Sequence, residues 1–279
     1  MIVGVTGASG FIGRALAKEL ESARHTMRPI STRSGIAPAA LKDCEAIVHL
    51  AGEPVAQRWT AEARARIESS RVEGTRALVK AMQIHKPQVF ISGSAVGYYG
   101  DRGDAVLTEA EPAAKDFLGR VAAEWEREAA AAEATGARVC RIRTGVVFGR
   151  DGGALQKMLL PFKLGLGGPI GGGQQWMAWI HMADLTGLIL FLLKESTVRG
   201  AFNAVSPNPV TNAEFTRALG EALHRPAILP VPALGVKLLF GEMASVILGS
   251  QRAVPDAALR AGFTFRYPDV FGALSQVLS

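Results

Sequence analysis

The amino-acid sequence predicts an α/β protein with a doubly wound parallel sheet and a smaller C-terminal lobe. Short apolar segments alternate with amphipathic segments of helical period through the first half of the chain. No hairpin signal such as Asn-Gly joins consecutive strands, and a loop with three glycines follows the first apolar segment. Because parallel strands need right-handed crossover connections, we expect helices on both faces of the sheet.

The individual elements follow from these periods, taken in chain order. For example, a helix is expected where Phe117, Val121 and Trp125 recur every four residues on one face. The predicted elements are a buried strand at 1–6, an amphipathic helix at 11–23, strands at 27–32 and 45–52, a long polar helix whose second half is 70–85, a central strand at 87–94, a helix at about 116–134, a strand at 137–149 and a late strand at 200–206.

The composition of the sequence changes at about residue 151, after which glycine and proline become frequent. Glycines cluster in GLGGPIGGG, and prolines return at Pro226, Pro230 and Pro232. We therefore expect residues 1–160 to form the sheet domain, joined by later sheet elements from about 178–206. Residues 161–279 are expected to form mainly a substrate lobe.

The composition excludes several classes of protein. Apolar residues make up 48% of the chain and charged residues 20%, which indicates a globular protein rather than a disordered one. The formal net charge is +6, but the basic residues form neither a run nor a stripe interleaved with aromatic residues. A basic groove for a phosphorylated small molecule explains this positive charge. We therefore expect no nucleic-acid partner, and RNA binding is the alternative ranked last.

The cysteines and the N-terminus indicate the compartment. Cys44 and Cys140 have no metal-ligand spacing, so we expect no metal site, no disulfide framework and a reducing environment. No basic region precedes the first apolar segment, and Leu188–Leu193 is much shorter than the roughly 20 residues that span a bilayer. A soluble, cytoplasmic protein without a membrane partner is expected, and its oligomeric state stays open.

The glycine loop TGASGFIG predicts a phosphate-binding turn. Gly7, Gly10 and Gly13 lie between a strand and the start of a helix, where the backbone can approach a pyrophosphate closely. The helix N-terminus adds free N–H groups and the positive end of its dipole. Residues 1–160 are therefore predicted to be a dinucleotide-binding domain of the Rossmann type. A turn without a ligand is the alternative.

The end of the second strand indicates which dinucleotide is bound. Folds of this type usually place an acidic residue about 20 residues beyond the loop, where it binds the ribose 2′-hydroxyl. Counting from Gly13, that place holds Arg33 (33 − 13 = 20), and no carboxylate lies between Glu21 and Asp43. An arginine can pair with a 2′-phosphate, and Thr32 adds a hydroxyl, so the sequence favours NADP(H). A solvated arginine is the alternative.

Several motifs together resemble the extended short-chain dehydrogenases/reductases. They are TGASGFIG, VHLAG, GTRALVKAM, FISGSAVGYYG and WIHMADLTG. More narrowly, LAGEPVAQRWT, SRVEGTR, LLPFKLGLGGPIGGGQQWMAWIH and AGFTFRYPDVFGAL look like NAD-dependent epimerase/dehydratase-like proteins of unassigned substrate. The resemblance covers nearly the whole chain. It implies the fold, whereas it says little about the substrate.

The resemblance also implies a set of cofactor contacts. Loop residues would wrap the pyrophosphate, the turn after the third strand would lie along the adenosine side, and RTGVVFG would run beside the nicotinamide. Where related proteins carry an asparagine facing the cofactor, this chain has an arginine, which would reach a phosphate or ribose or else form a surface salt bridge. The loop residues are Gly7, Gly10, Phe11, Ile12 and Gly13, and those of the turn after the third strand are Leu50, Ala51 and Gly52. The arginine is Arg71, and the residues beside the nicotinamide are Gly145, Val146 and Val147.

The catalytic pattern of the superfamily is broken in this chain. Its usual acid–base pair is a tyrosine with a lysine four residues later, whose ammonium lowers the pKa of the phenol. No Tyr-x-x-x-Lys occurs, and the helix that should carry the pair has Phe117 or Leu118 and Val121 or Ala122 at those places.

Candidate catalytic residues remain at the end of the central strand. The superfamily's serine matches Ser94, and one of the phenols of Tyr98 and Tyr99 is the candidate acid or base. The alternatives are strand-end hydrogen bonding for the serine and packing against the nicotinamide for the two tyrosines.

A glycine-rich loop beside large aromatic residues predicts a wall of the substrate site. In GGQQWMAWIHMAD, we expect Trp176, Trp179 and His181 to contact substrate. The alternative is that His181 and Asp184 tie the lobe to the sheet. His49, in a buried strand, is interpreted as a core histidine.

Two functions are compatible with these residues. The first is an NADP(H)-binding oxidoreductase or epimerase that acts on a small polar, possibly sugar-like carbonyl substrate. The second is a non-catalytic NADP(H)-binding redox sensor or regulatory protein, which the missing Tyr-x-x-x-Lys motivates.

Overall fold

A computed structural model describes residues 1–32 and 35–279 of the chain. As far as residue 148, the described residues form strands that are interspersed with three α-helices. They are β1 (Ile2–Thr6), α1 (Phe11–Ser22), β2 (Thr26–Ile30), β3 (Ala46–His49), α2 (Ala61–His85), β4 (Val89–Ala95), β5 (Val106–Leu107), α3 (Phe117–Ala130), β6 (Arg138–Thr144) and β7 (Val146–Phe148).

Helices dominate the remainder of the chain, with short strands between them. They are α4 (Gly153–Lys163), β8 (Trp176–Met177), β9 (Trp179–His181), α5 (Met182–Lys194), β10 (Gly200–Ala204), β11 (Val210–Thr211), α6 (Asn212–Leu223), α7 (Ala233–Phe240), α8 (Ala244–Leu248), β12 (Arg252–Ala253), α9 (Asp256–Arg260) and α10 (Val270–Leu278). Short 3₁₀ turns lie at Pro38–Leu41, Val96–Tyr99, Ala131–Thr135 and Gly241–Met243.

The central sheet has six parallel strands in the order β2-β1-β3-β4-β6-β10. The chain leaves β1 for β2 on one side and returns to β3 on the other, so the strand order reverses between β1 and β3. In open sheets of this kind, ligands bind outside the carboxyl ends of the strands at such a reversal. The predicted fold class is confirmed, and the glycine loop lies at this point.

Helices cover both faces of the sheet. On one face α1 and α5 pack together, and Leu16, Leu20 and Leu188 bury their side chains against Val3 and Val5 of β1. On the other face α2 and α3 pack together over a second core cluster. That cluster includes Ile47, Leu78, Met82, Phe90 and Ala129. The apolar period of each helix therefore matches the face that it covers.

The segment predicted as one strand at 137–149 is two strands. β6 belongs to the central sheet, whereas β7 leaves it and pairs with β9. The break falls at Gly145, where a Cβ would lie 2.6 Å from the carbonyl oxygen of Ala178. The backbone of the later segment therefore approaches too closely for any side chain at this position, and the strand prediction was wrong there.

The C-terminal helices form a separate core beside the sheet. Phe148, Leu159, Trp179, Phe215 and Leu274 belong to its buried cluster. Within the described residues, no helix is both long and apolar enough to cross a membrane.

Candidate functional site

The glycine loop is held tightly against the turn that follows β3. Gly7 has φ +69°, and a Cβ on it would lie 2.8 Å from the amide nitrogen of Ala51 and the carbonyl carbon of Leu50. A Cβ on Gly13 would collide with the carbonyl oxygen of Gly7. Both positions require glycine, because the backbone of the loop passes directly over the start of α1.

The start of α1 offers backbone donors without competition from side chains. Gly10 is its N-cap and makes no side-chain capping hydrogen bond, and the first turn, from Phe11 and Ile12 onward, has no acidic residue. The first N–H groups of a helix have no partner within the helix, and its dipole favours an anion there. The loop and the helix start therefore fit a pyrophosphate.

Phe11 fixes the loop against a second part of the chain. A Cβ on Gly149 would lie 2.8 Å from the Phe11 ring, and one on Gly153 would lie 2.7 Å from it. The glycines that precede α4 therefore make room for this ring, which places the residues after β7 beside the predicted pyrophosphate site. Gly145 and the half-buried Val146 lead into this segment, whereas Val147 is buried.

A buried chain of hydrogen bonds shapes the turn at Leu50–Ala51. The Thr6 hydroxyl accepts from the amides of both residues, at 3.1 and 3.2 Å, and donates to Nδ1 of His49 at 2.6 Å. Nε2 of His49 donates to the Thr75 hydroxyl at 3.0 Å. Burial lowers the pKa of His49 to about 4, so the ring is neutral. The prediction of a core histidine is confirmed.

Arg71 lies under the same turn. One of its terminal nitrogens donates to the carbonyl oxygens of Glu53, at 2.9 Å, and Ile67, at 3.1 Å. A Cβ on Gly52 would lie 3.2 Å from the guanidinium carbon, which itself lies 5.2 Å from the Trp125 ring. Burial lowers the pKa of Arg71 to about 10, so it stays charged at neutral pH. Its alternative as a surface salt bridge is wrong, because the side chain is directed inward to backbone carbonyls.

Of the predicted 2′-phosphate contacts, the structure describes Thr32. It is half-buried and lies two residues beyond the end of β2. Arg33 lies outside the described residues.

Ser94 belongs to a buried polar network at the carboxyl end of β4. Its hydroxyl donates to a carboxylate oxygen of Glu126 on α3, at 2.7 Å. Glu126 also accepts from two guanidinium nitrogens of Arg143 on β6, at 2.7 and 2.9 Å. The hydroxyl has one proton, and a carboxylate can only accept. Ser94 therefore makes the strand-end hydrogen bond that was its alternative, and its role toward a substrate stays a prediction.

Arg143 connects this network to the two tyrosines. Burial lowers its pKa, but hydrogen bonds and the charge of Glu126 more than offset this, so its pKa is raised overall. A terminal nitrogen donates to the Tyr99 hydroxyl at 2.9 Å, and that hydroxyl donates to Oδ1 of Asn203 at 2.6 Å. Ser94, Arg143 and Asn203 lie opposite one another on three adjacent strands. The network therefore runs across β4, β6 and β10, perpendicular to the strands.

Tyr99 is not the catalytic phenol. Its side chain is fully buried, both partners of its hydroxyl are protein groups, and burial raises its pKa to about 12. Such a group neither reaches a substrate nor gives up its proton at neutral pH. We assign Tyr99 a structural role in place of the predicted catalytic one.

Tyr98 occupies a different environment on the same 3₁₀ turn. Its ring is half-buried, with the guanidinium carbon of Arg143 3.6 Å from the ring centroid and Tyr99 edge-on at 5.4 Å. In the part of the chain that the structure describes, the Tyr98 hydroxyl makes no hydrogen bond. Of the predicted catalytic side chains, it has the hydroxyl that a ligand can still engage.

Aromatic and charged side chains form a wall next to this turn. Phe117, one of the two residues predicted to stand where the superfamily has its tyrosine, packs edge-on against Trp59 at 5.3 Å. The guanidinium of Arg64 lies 4.4 Å from the Phe117 ring centroid and pairs with Glu242 of the C-terminal lobe at 2.5 Å. The start of α3 therefore supplies apolar surface to this wall, and α2 supplies the cation of Arg64.

The predicted substrate wall is only partly exposed to a ligand. Trp176 is half-buried; its indole nitrogen donates to Asp104 at 2.9 Å, and Arg252 lies 4.2 Å from its ring. It stays a candidate. Trp179 is fully buried and stacks on Phe148 at 5.1 Å, so its predicted contact with substrate is wrong.

His181 is also structural. Its Nδ1 accepts from the amide of Ala183 and caps α5, and Nε2 donates to Gln276 of α10 at 2.9 Å. Asp184 accepts from the amides of Arg266 and Tyr267. The alternative that these two residues tie the lobe to the sheet is confirmed, and the substrate role of His181 is corrected. The described residues contain no cluster of three metal-ligating side chains.

Residues 3–204 match the sequence profile of the NAD dependent epimerase/dehydratase family. The chain belongs to this family. Residues 231–277 of the epimerase-family protein also match a domain of unknown function, DUF1731. The predicted resemblance is confirmed.

Relatives resemble the epimerase-family protein over its full length. The epimerase family protein SDR39U1 homolog, chloroplastic, of Arabidopsis thaliana is 40% identical and is aligned over all of this chain and 87% of its own. The crystal structure of human epimerase family protein SDR39U1 with NADPH has a TM-score of 0.92 at 36% identity, covering 100% of this chain and 99% of that one. A nucleoside-diphosphate sugar epimerase from Corynebacterium glutamicum has a TM-score of 0.82 at 33% identity, covering 100% and 58%.

These relatives bear on two predictions. The predicted cofactor agrees with the NADPH in the human protein. Because the plant relative is named as chloroplastic, the cytoplasmic location stays a prediction.

Three members of the buried network, Glu126, Arg143 and Asn203, were missed from the sequence. Glu126 lies in WEREAAAAEA, and its alternating acidic and basic residues are typical of a solvated helix face. In this epimerase-family protein it is buried instead. Arg141 and Arg143, in the buried strand RVCRIRT, are the signal that could have revealed it, because a buried guanidinium needs an acidic partner.

Proposed function

We propose that the protein is an NADP(H)-dependent oxidoreductase or epimerase that acts on a small, sugar-like carbonyl or hydroxyl substrate. The observation that carries the proposal is the position of Tyr98. Its hydroxyl is without a partner among the described residues, and it follows β4, the second strand from the glycine loop's strand on the β3 side. The glycine loop that fits a pyrophosphate and the hydroxyl of Tyr98 therefore both follow the carboxyl ends of strands in one sheet.

The preference for NADP(H) has two supports. The human relative of 36% identity is described with NADPH. The position that usually binds the ribose 2′-hydroxyl through a carboxylate holds Arg33. A guanidinium there favours the phosphorylated cofactor.

The substrate class rests on the relatives and on the wall of the site. A relative of 33% identity is named a nucleoside-diphosphate sugar epimerase. Beside the Tyr98 turn, the epimerase-family protein presents Trp59 and Phe117 with the cation of Arg64. Aromatic rings suit the faces of a sugar or a base, and the guanidinium suits a phosphate.

The proposed reaction gives each of four side chains a role beside the cofactor. A bound nicotinamide would supply hydride chemistry. Tyr98 would move a proton to or from the substrate oxygen through its hydroxyl. Arg143 would hold the Tyr98 ring in place through the contact of its guanidinium with the ring face. Glu126 would keep Arg143 in that position, and Ser94 would secure Glu126.

The test combines cofactor binding with substrate turnover. Calorimetry should show tighter binding of NADPH than of NADH, and Arg33→Asp should remove that difference. A panel of nucleoside-diphosphate sugars and simpler carbonyls is then followed by nicotinamide absorbance and by chromatography, since an epimerase returns its hydride. Tyr98→Phe should lower kcat by at least about 100-fold.

Tyr267→Phe is the matched control for that variant. Tyr267 packs against His181 in the lobe, with ring centroids 4.0 Å apart, and lies in neither the loop nor the network. It should leave kcat unchanged. Turnover that survives in Tyr98→Phe would reject the assignment of the proton to this phenol.

A second candidate function follows from the state of Ser94. Its only proton goes to Glu126, so one part of the usual carbonyl-binding pair is not available. In that case the protein would bind NADP(H) and report its redox state. Different affinities for NADPH and NADP⁺, together with different hydrogen exchange in residues 151–279, would favour this candidate when no substrate is turned over.

A further inference from the structure

Two neighbouring segments of the C-terminal lobe expose large aliphatic side chains. The first carries Leu160, Leu164 and Leu166 at the end of α4 and just after it. The second carries Ile228 and three leucines of α7, which are Leu234, Leu238 and Leu239. These seven side chains are between 57% and 78% exposed, and we call them the apolar face.

The two segments are joined where the loop after α4 runs beside the residues that precede α7. The amide of Leu229 donates to the carbonyl oxygen of Gly167 at 3.2 Å, and the amide of Val231 donates to that of Pro169 at 2.9 Å. Of the α7 residues, Val236 is the one that is buried. Soluble monomers rarely expose apolar patches larger than a few hundred Å², so a face of this kind indicates a binding surface.

The charged side chains within the two segments all have the same sign, whereas the exposed carboxylates of Glu221 and Glu242 lie just outside them. Residues 153–170 and 225–241 contain no aspartate or glutamate. Their charged side chains are Lys157, Lys163, Arg225 and Lys237, and all four are exposed. Lys163 and Arg225 are adjacent, since Nε of Arg225 donates to the carbonyl oxygen of Lys163 at 3.4 Å. The face therefore combines leucines with a basic rim.

We propose that the apolar face docks on the surface of an anionic lipid bilayer. Leucine side chains insert at the boundary between headgroups and acyl chains, while lysine and arginine side chains reach the anionic headgroups. This surface contact differs from a membrane span, which the described helices are too short or too polar to form. The proposal is independent of the reaction that the protein catalyses.

The same charges disfavour a second copy of the chain as the occupant. A two-fold dimer places the same patch on both subunits, so each basic rim would face its own copy. Like charges brought together in this way cost several kcal/mol across an interface. An anionic surface instead complements every charge of the rim.

The experiment is flotation of the full-length protein with vesicles. We expect it to float with vesicles of phosphatidylcholine and phosphatidylglycerol in equal parts, and not with phosphatidylcholine alone. High salt should reduce the bound fraction, because it screens the attraction of the rim. Light scattering of the same sample gives the oligomeric state without vesicles.

Two variants separate the contributions of the leucines and of the rim. The triple variant Leu234→Ser/Leu238→Ser/Leu239→Ser should lose flotation altogether. Lys163→Glu/Lys237→Glu should weaken binding at least about 30-fold, from roughly 1 kcal/mol for each basic residue near an anionic surface. The matched controls are Ile84→Ser, an exposed aliphatic residue of α2, and Lys18→Glu/Lys80→Glu, two exposed lysines elsewhere.

Three outcomes would overturn the proposal. The first is no flotation with anionic vesicles. The second is self-association at micromolar concentration that the triple leucine variant abolishes, which would assign the face to a second copy. The third is flotation that the triple variant retains, because the leucines would then play no part in it. Since none of these readouts involves NADPH or turnover, failure here leaves the proposed function standing.

Discussion

Removal of the carboxylate of Glu126 is the sharpest test of the buried network. Glu126→Gln keeps the shape of the side chain but leaves the charge of Arg143 without its counter-ion. Both side chains are about 95% buried, and two guanidinium hydrogen bonds, at 2.7 and 2.9 Å, lose their charged acceptor. Breaking a buried pair on one side costs roughly 3–5 kcal/mol, because the remaining charge is not solvated.

The measurement is thermal and urea unfolding at neutral pH. Each kcal/mol shifts Tm by about 2–4 °C in a domain of this size, so a drop of about 6–20 °C is expected. Glu124→Gln is the matched control. It lies on the same helix, two residues earlier, and its carboxylate pairs with exposed Arg127 at the surface. Such a pair contributes at most about 1 kcal/mol.

Equal losses of stability in the two variants would refute the reasoning. The double variant Glu126→Gln/Arg143→Met provides a further check. It removes both charges, so it should be more stable than Glu126→Gln alone. If the double variant is instead less stable by the sum of the two single losses, the two residues act independently and the pair has no special role.

Three further predictions concern the cradle and the core. Because the pKa of His49 is lowered from 6.5 to about 4, the unfolded chain binds a proton in this interval that the native His49 does not; this residue should therefore lower the free energy of unfolding by roughly 3 kcal/mol as the pH drops from 6.5 to 4, and the fall measured in urea titrations should be smaller by that amount in His49→Gln. Gly13→Ala should weaken NADPH binding in calorimetry by at least about tenfold, whereas Gly74→Ala, inside α2 with open space at its Cβ, should leave the Kd unchanged and stabilise the fold by roughly 0.5–1 kcal/mol. Tyr99→Phe should cost about 1–3 kcal/mol in urea unfolding, because Asn203 loses a buried donor; a loss no larger than that of Tyr267→Phe would contradict this account.

The sheet was predictable because its signals are local. The strands β1, β3 and β4 are apolar segments, and each predicted boundary of the sheet strands in the first half lies within a few residues of the observed one. The break at Gly145 was not predictable, since Val146, Val147 and Phe148 continue the apolar run without interruption. What ends the strand is the backbone of Ala178, which is distant in sequence. Local periodicity contains no information on such an approach.

The phosphate cradle was predictable for the same reason, whereas the polar network was not. The glycine spacing and the strand before it lie within thirteen residues of the N-terminus. Ser94, Glu126, Arg143 and Asn203 instead come from four different elements and meet through the strand register. Nothing in a helical charge pattern distinguishes Glu126, which is buried, from Glu124, which is exposed.

The network explains how this protein can depart from the pattern of its superfamily. The usual arrangement places tyrosine and cation together on the helix that follows the central strand. Here α3 supplies an anion, Glu126, and the cation comes from β6 as Arg143, on the other side of that anion. A phenol that uses this cation must lie over β6 and not on α3, and the ring of Tyr98, 3.6 Å from the guanidinium, satisfies that condition. Tyr98, the proposed proton donor, is therefore the tyrosine whose position matches a cation on β6 instead of one on α3.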